Sequence, residues 1–348
     1  MFKKQVISFL MMVAFSVGML QPATTQAAES AQSGTGFTMK IKTPAKSLDP
    51  EQSYFNLLVQ PGDSETLTLQ LQNLRKQTRQ FKVTPVSAYT NNNGYVDYKA
   101  RVNAAQSQAK YQFTDMISGA QTVTVAGNAT KEVSFSLSVP QDKFAGIMVG
   151  GFRAADINQA KNDQADQKGF TINNRYAMLM GATVQETKQL HMPELALGKI
   201  TPTIVRGATT LSTQISNQVP TMFGQLNVNA TVTKRGQTKV LHRLNRKNLS
   251  MAPASTFNYQ MDWNHEAFKP GKYTLHLKAT SGTKHWNFDE PFTITATQAK
   301  RVNDKGVNLK RDWSWLWILL LILLILLLLI AMYYYGKYRA RKDAEKNN

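Results

Sequence analysis

The chain has 348 residues, no cysteine, and a formal net charge of +19 at pH 7 from 41 Lys and Arg against 22 Asp and Glu. The missing thiols exclude a cysteine nucleophile and a disulfide framework, and no zinc-type ligand spacing occurs. The basic balance favours polyanions as partners: wall polymers, anionic lipid headgroups or nucleic acid.

In chain order, Lys3 and Lys4 precede an apolar run over residues 6–20, followed by the small-residue stretch "QPATTQAA". This predicts a secretory signal over residues 1–28, cleaved after Ala27 or Ala28, and its removal takes two lysines and leaves +17. Export argues against nucleic acid, and no basic helix or RNA-binding aromatic signature supports it. An exported chain without disulfides points to a bacterial surface protein whose domains rely on sizeable cores.

The body of the chain alternates with a period of two. In "ETLTLQL", Leu67, Leu69 and Leu71 alternate with polar residues, and "KEVSFSLSV" does the same with Val133, Phe135, Leu137 and Val139. Further strands are predicted in "TVTV" (122–125), "AMLMGATV" (177–184), "LNVNATV" (226–232), "YTLHLKA" (273–279) and "PFTITA" (291–296), separated by the turn signals "QPGDS", "NNNG", "VAGN", "KRGQ" and "KPGK". Many short strands punctuated in this way predict a mostly β protein of two tandem immunoglobulin-like sandwiches. Helix is expected around residues 100–113, whereas the polar segment 154–168 lacks an apolar stripe and reads as a long exposed loop.

The expected division is a first sandwich over 29–188, with a boundary by sequence similarity near 160–169 as the other placement, and a second over 189–298. A polar stalk is expected over 299–314, a membrane helix over 315–335 and a cytoplasmic tail over 336–348. The charge-free run 315–335 would span about 32 Å at about 1.5 Å per residue. Trp313, Trp315 and Trp317 at one end and Tyr333, Tyr334 and Tyr335 at the other match aromatic residues held at both membrane interfaces. Basic residues flank both ends of the span, so the cleaved signal sets the orientation, with the long N-terminal portion outside.

Chemistry is sparse. No G-x-S-x-G or H-E-x-x-H pattern occurs, and none of the five histidines is paired at helical spacing, so no catalytic residue, metal ligand or cofactor is assigned. The stretch "AYTNNNGYVDY" (88–98) lacks the carboxylate ladder of a calcium loop and reads as an Asn-Gly turn between strands. Its amides Asn91 and Asn93 and phenols Tyr89, Tyr95 and Tyr98 are the hydrogen-bonding and stacking groups a saccharide or peptide ligand needs, and Asp97 stands among them as a further candidate contact. "VPQDKFAGIMVGGFR" (139–153) has neither phosphate-loop spacing; it reads as a strand in which Gly150 and Gly151 permit close packing or a bulge.

The ordered set "YFNLLVQPGDSETLTLQLQN", "AYTNNNGYVDY", "VPQDKFAGIMVGGFR" and "NNRYAMLMGATVQE", between a signal and a C-terminal span, resembles the WxL-interacting protein family of Gram-positive bacteria. The family-like positions are Pro61, Gly62, Asn91, Gly94, Asp97, Tyr98, Gly146, Gly150 and Gly151. The resemblance implies a peptidoglycan-binding first domain, a host-binding second domain, and WxL-domain proteins as partners in a wall-associated complex. It implies peptidoglycan or an anionic wall polymer, a host extracellular protein and, through the helix, the lipid bilayer as the surfaces met. The sequence contains no L-P-x-T-G, so the helix is expected to stay in the membrane. The reading from another class is an assembly factor that captures secreted subunits by β-strand addition.

Overall fold

The structure, a computed structural model, describes residues 34–144, 146–157, 176–310 and 314–346. The expected signal, most of the expected loop over 154–168 and Trp313 lie outside those residues.

The first domain contains β1 (Phe37–Lys42), β2 (Phe55–Leu58), β3 (Ser64–Asn73), β4 (Arg79–Thr90), β5 (Val96–Lys99), the single helical turn α1 (Phe113–Met116), β6 (Gln121–Val125), β7 (Thr130–Ser138), β8 (Ile147–Asp156) and β9 (Ala177–Gln185). One sheet has the order β1-β3-β7; the other runs β2-β9-β8-β4-β5, with β6 also on β4. β7 buries every second residue from Val133 to Leu137, which is why its alternation is visible in sequence. The two sheets enclose a phenylalanine cluster in which the Phe152 ring centroid lies 4.6 Å from Phe135 and 5.7 Å from both Phe55 and Phe113.

A largely buried ion pair closes this sandwich at one end. Arg79 Nε and Nη2 each lie 2.7 Å from Asp156 Oδ2, Arg79 Nη1 donates to the Gly36 carbonyl at 2.8 Å, and the guanidinium stands 5.0 Å over the Phe81 ring. The pair thus ties the starts of β1 and β4 to the end of β8.

The second domain contains β10 (Leu195–Val205), β11 (Ala208–Asn217), β12 (Phe223–Lys234), β13 (Val240–Met251), β14 (Thr256–Asp262), β15 (Gly271–Ser281) and β16 (Lys284–Ile294). Sheets of order β10-β11-β14 and β13-β12-β15-β16 face each other across a core that includes Leu226, Val228, Leu275, Leu277, Phe257 and Tyr259. Burial pushes the Tyr259 phenol well above its ordinary value of 10.0, and its hydroxyl donates to the Val228 carbonyl at 3.1 Å. The two domains repeat one device. Fully buried Asn73, at the end of β3, donates to the carbonyls of Gln77 at 2.8 Å and Ala126 at 3.1 Å and accepts from Arg75 N at 3.1 Å. Asn217, equally buried at the end of β11, donates to Thr221 at 2.7 Å and Ala252 at 3.0 Å and accepts from Val219 N at 3.3 Å.

His242 on β13 is buried, stacks on Trp263 with ring centroids 3.7 Å apart, and has no hydrogen-bond partner for Nδ1 among the described residues. Burial holds its pKa below the ordinary 6.5, with the Glu266 and Asp262 carboxylates opposing that shift. The unfolded chain therefore binds this proton more readily than the folded one, so the stability contribution is present above pH 6.5 and is lost as pH falls below it. Second-domain stability, followed by Trp emission, is expected to fall with acidification at up to about 1.4 kcal/mol per pH unit, and His242→Phe to flatten that slope.

Two expectations are corrected. Residues 100–112 do not form a helix, because their backbone groups bond to the second domain: Gln108 N donates to Ala254 O at 2.8 Å and Gln106 O accepts from Thr256 N at 3.0 Å. Only α1 is helical there, begun where Asp115 Oδ2 accepts from Gln112 N at 2.8 Å. Residues 299–310 do not form a free polar stalk. Helix α2 (Ala296–Asn303) starts at a reciprocal cap between Thr295 and Gln298 and buries Ala299 and Val302 against the second core. Beyond it, Val307 N donates to Gly207 O and Lys310 N to His265 O, each at 2.8 Å.

Helix α3 (Ser314–Lys346) contains the 22-residue stretch Leu316–Lys337, long and apolar enough to cross a membrane and not covered by either domain. Trp317, Tyr333, Tyr334 and Tyr335 are exposed on it, and Trp315 lies in its first turn.

Candidate functional site

The sandwiches meet at a joint built from three first-domain segments. The turn after β4 is the first: Thr90 Oγ1 accepts from Ala252 N at 3.0 Å and lies 2.5 Å from Ser255 Oγ. Gly94 O accepts from Ser250 N at 2.8 Å, and Asn92 Oδ1 from Asn258 N at 3.1 Å. The loop 103–109 is the second, bonded to Ala254 and Thr256 as described. Gly146–Ile147 is the third, with Ile147 N donating to Pro220 O at 2.8 Å. Gly146 has φ +77, and a Cβ there would stand 2.1 Å from Pro220 O, so only glycine fits.

Thr90 is fully buried. Thr90→Val keeps its shape but leaves the Ala252 amide without its acceptor, at a cost of about 1–3 kcal/mol. The expected outcome in calorimetry is one thermal transition for the wild type, with the two domains coupled through the joint, and two separate transitions for the variant.

Between these contacts lies a cavity of about 370 Å³ whose walls come from both domains. Phe113, Phe144, Met148, Pro220 and Pro253 give it an apolar floor; Gln108, Gln112, Tyr111, Lys110 and Lys143 supply its polar groups. The Tyr111 hydroxyl donates to Asp142 Oδ2 at 3.2 Å, and Lys110 Nζ lies 2.7 Å from the same oxygen. That pairing holds the Asp142 carboxyl below its ordinary pKa and raises Lys110. Glu186 Oε1 accepts from Phe144 N at 3.1 Å and fixes the loop that carries Phe144. Among the described residues, no carboxylate or histidine is part of the cavity lining. Such a wall can hold a polar ligand with one apolar face through stacking and amide hydrogen bonds.

The six candidate residues from sequence are not part of this cavity's wall. Tyr89 OH donates to Asp97 Oδ2 at 3.1 Å across the β4–β5 pair, with Lys99 Nζ 4.4 Å over the Tyr89 ring. Burial, then the Asp97 charge, pushes the Tyr98 phenol up. Asn91 Oδ1 accepts from the amides of Asn93 at 2.9 Å and Tyr95 at 3.2 Å, so Asn91 shapes its own turn, while Asn93 and Tyr95 are exposed. Gly94 packs beneath Leu249 of the second domain. Pro61 and Gly62 form the β2–β3 turn, where Gly62 N donates to Pro140 O at 3.0 Å. Gly150 and Gly151 lie in β8; a Cβ on Gly150 would fall 2.3 Å from the Phe113 ring, and one on Gly151 2.4 Å from Met180 O. None of the lining residues is among the candidates from sequence. The one local signal is the aromatic and amide run "KYQF", Lys110 to Phe113, which falls within the expected helix.

Two β sandwiches bonded at a joint, with a ligand-sized cavity there and a membrane-length helix after the second, fit the class of surface binding proteins. Residues 37–156 match the peptidoglycan binding domain of the WxL Interacting Protein and residues 167–304 its host binding domain, so the chain belongs to the WxL-interacting protein family. The matches part between 156 and 167, yet β9 pairs with β8 and β2 in the first-domain sheet. No curated protein matches the chain. Among solved structures, the class 5 fimbriae chaperone CfaA is 11% identical, with 73% of this chain and 99% of that one covered and a TM-score of 0.28. A PapD-like domain of human CEP192 is 11% identical over 49% of this chain and 94% of that one, TM-score 0.25. Red sea bream transglutaminase is 12% identical over 79% and 34%, TM-score 0.21. Similarity at this level bears on neither partner nor mechanism.

Proposed function

We propose that this chain is a non-enzymatic, membrane-anchored adhesion or scaffold protein of a Gram-positive cell surface. In this reading residues 1–28 direct export and are removed. The first sandwich, to about residue 188, holds peptidoglycan or an anionic wall polymer, and the second, 189–298, meets a WxL-domain protein or a host extracellular protein. The helix over 315–335 sits in the bilayer, with 336–348 inside. The observation that carries the wall-binding half is the cavity at the joint: an apolar floor for a sugar face and amides, a phenol and lysines for its hydroxyls and carboxylates.

Co-sedimentation of the detergent-solubilised full chain with insoluble peptidoglycan tests this. Retention above that of a neutral control protein, persisting in high salt, is expected of a shaped site; retention that fades with salt reports charge attraction alone. No retention at low salt contradicts wall binding.

Three of the second domain's four edge strands argue against capture of subunits by strand addition. Edge strand β13 carries Arg243, Arg246 and Lys247 and three register shifts against β12. Edge strand β10 carries Pro202 and a bulge between Leu197 and Ile200, and β16 carries Pro291. Basic residues, bulges and prolines are the features that keep an edge from pairing.

A further inference from the structure

The strands of the second domain run between two poles. One meets the first domain; the other gathers the β10–β11 turn at Arg206–Gly207, the β12–β13 turn over 235–239, the loop 263–270 and the segment 304–310 that leads to α3. Because Val307 N is bonded to Gly207 O and Lys310 N to His265 O, the chain is held against this second pole until Lys310. Three residues, 311–313, then separate it from the first residue of α3. Four Cα steps reach at most about 15 Å, so the pole lies close to wherever the helix enters its membrane.

The chemistry of that pole fits a bilayer surface. Arg206, Arg235, Lys239, Lys272, Arg301 and Lys310 are all exposed there. Among the described residues of these segments, of the strand ends that lead into them and of α2, the carboxylates are Asp262, Glu266 and Asp304, and Asp304 is paired with Lys300 at 3.0 Å. Residues 195–261 contain no acidic residue at all. Two apolar side chains are exposed among the cations: Val240, beginning β13 beside the turn, and Val307, 41% and 56% accessible. Cations with apolar tips between them are the composition of surfaces that rest on anionic headgroups and dip into the interface.

We propose that this basic pole docks on the anionic phospholipid headgroups of the leaflet from which α3 emerges. Docking would hold the second domain at the membrane and point the first away from it along the bonded joint. The inference rests on the membrane-anchored reading above. It also gives the basic residues on the outer flank of the span a role distinct from setting topology, since cations in a translocated folded domain do not oppose its export.

The absence of cysteine allows single-site labelling of the full chain in liposomes. A fluorophore on Val240→Cys is measured against a headgroup-level quencher, and one on Leu326→Cys against an acyl-chain quencher. With the residue-326 probe quenched in both lipids, the residue-240 probe is expected to be at least about twofold more quenched in phosphatidylglycerol-containing bilayers than in neutral phosphatidylcholine. The difference should vanish at roughly 0.5 M salt, where screening is short-ranged, and in the Arg235→Glu/Lys239→Glu/Lys272→Glu variant. An inserted helix with equal residue-240 quenching in both lipids, or a charge-reversed variant that behaves as wild type, overturns the proposal. An unquenched residue-326 probe overturns the anchored reading, and this inference with it.

Discussion

Gly150→Val is expected to lower the stability of the first domain by about 3 kcal/mol, at the upper end of the cost of overpacking. Gly150 faces Ser87 across the β4–β8 pair, and α1 lies over it, with Phe113 only 1% accessible. A Cβ at this position would be 2.3 Å from two atoms of the Phe113 ring and 2.5 Å from its Cβ. Phe113 cannot yield cheaply, because its ring also packs edge-on against Phe152 at 5.7 Å. Gly150→Ala should therefore destabilise as well, although a strand interior ordinarily favours alanine over glycine. Denaturant unfolding checks both, with hydrogen exchange of β8 amides to assign the loss to the first domain. A Gly150→Val chain as stable as wild type would mean that α1 lifts away from β8 freely.

Asp156→Ala is expected to cost about 3–5 kcal/mol, because it leaves the Arg79 guanidinium buried without its counter-charge. The two side chains are 13% and 6% accessible, so water cannot replace the carboxylate without opening the end of the sandwich. Exposed pairs such as Lys42–Glu132, at 3.7 Å, should give less than about 1 kcal/mol when broken. The double replacement Arg79→Met/Asp156→Leu should recover much of the loss, since Arg79 already lies over the Phe81 ring and the apolar pair removes both charges together. Unfolding of the two single variants and the double variant measures this coupling. A double variant no more stable than Asp156→Ala would place the cost in the Gly36 contact or in packing rather than in the ion pair.

The sequence showed the wet strands best. β7 could be read from Val133, Phe135 and Leu137 because its other face meets water. β8 could not be read by alternation: α1 covers one face and the core the other, so Ile147 to Phe152 are all buried and only their β-forming side chains mark the strand. The joint was illegible. Asn92 and Asn258 meet across 166 positions, and an Asn-Gly turn has the same local chemistry whether solvated or docked. The same long-range bonds overrode the alanines at 104, 105 and 109 that favoured a helix. In α2 the polar composition concealed a stripe of only two residues, Ala299 and Val302, although the Thr295–Gln298 cap was legible. For the candidate site, the turn residues Asn91 to Tyr98 were noticed because they are chemically conspicuous. The cavity is assembled from five separate stretches of chain whose convergence no local pattern encodes.

The most direct test of wall recognition at the joint is titration of a soluble peptidoglycan fragment into the full chain in neutral nanodiscs, comparing wild type with Tyr111→Ala and Phe144→Ala. Both side chains line the cavity and are only partly buried, so the domain should remain folded, as circular dichroism can establish. Saturable binding that weakens about tenfold or more in each folded variant is the predicted result. Binding that is unchanged in both variants, or absent from the wild type, would contradict a wall-binding cavity between the two sandwiches.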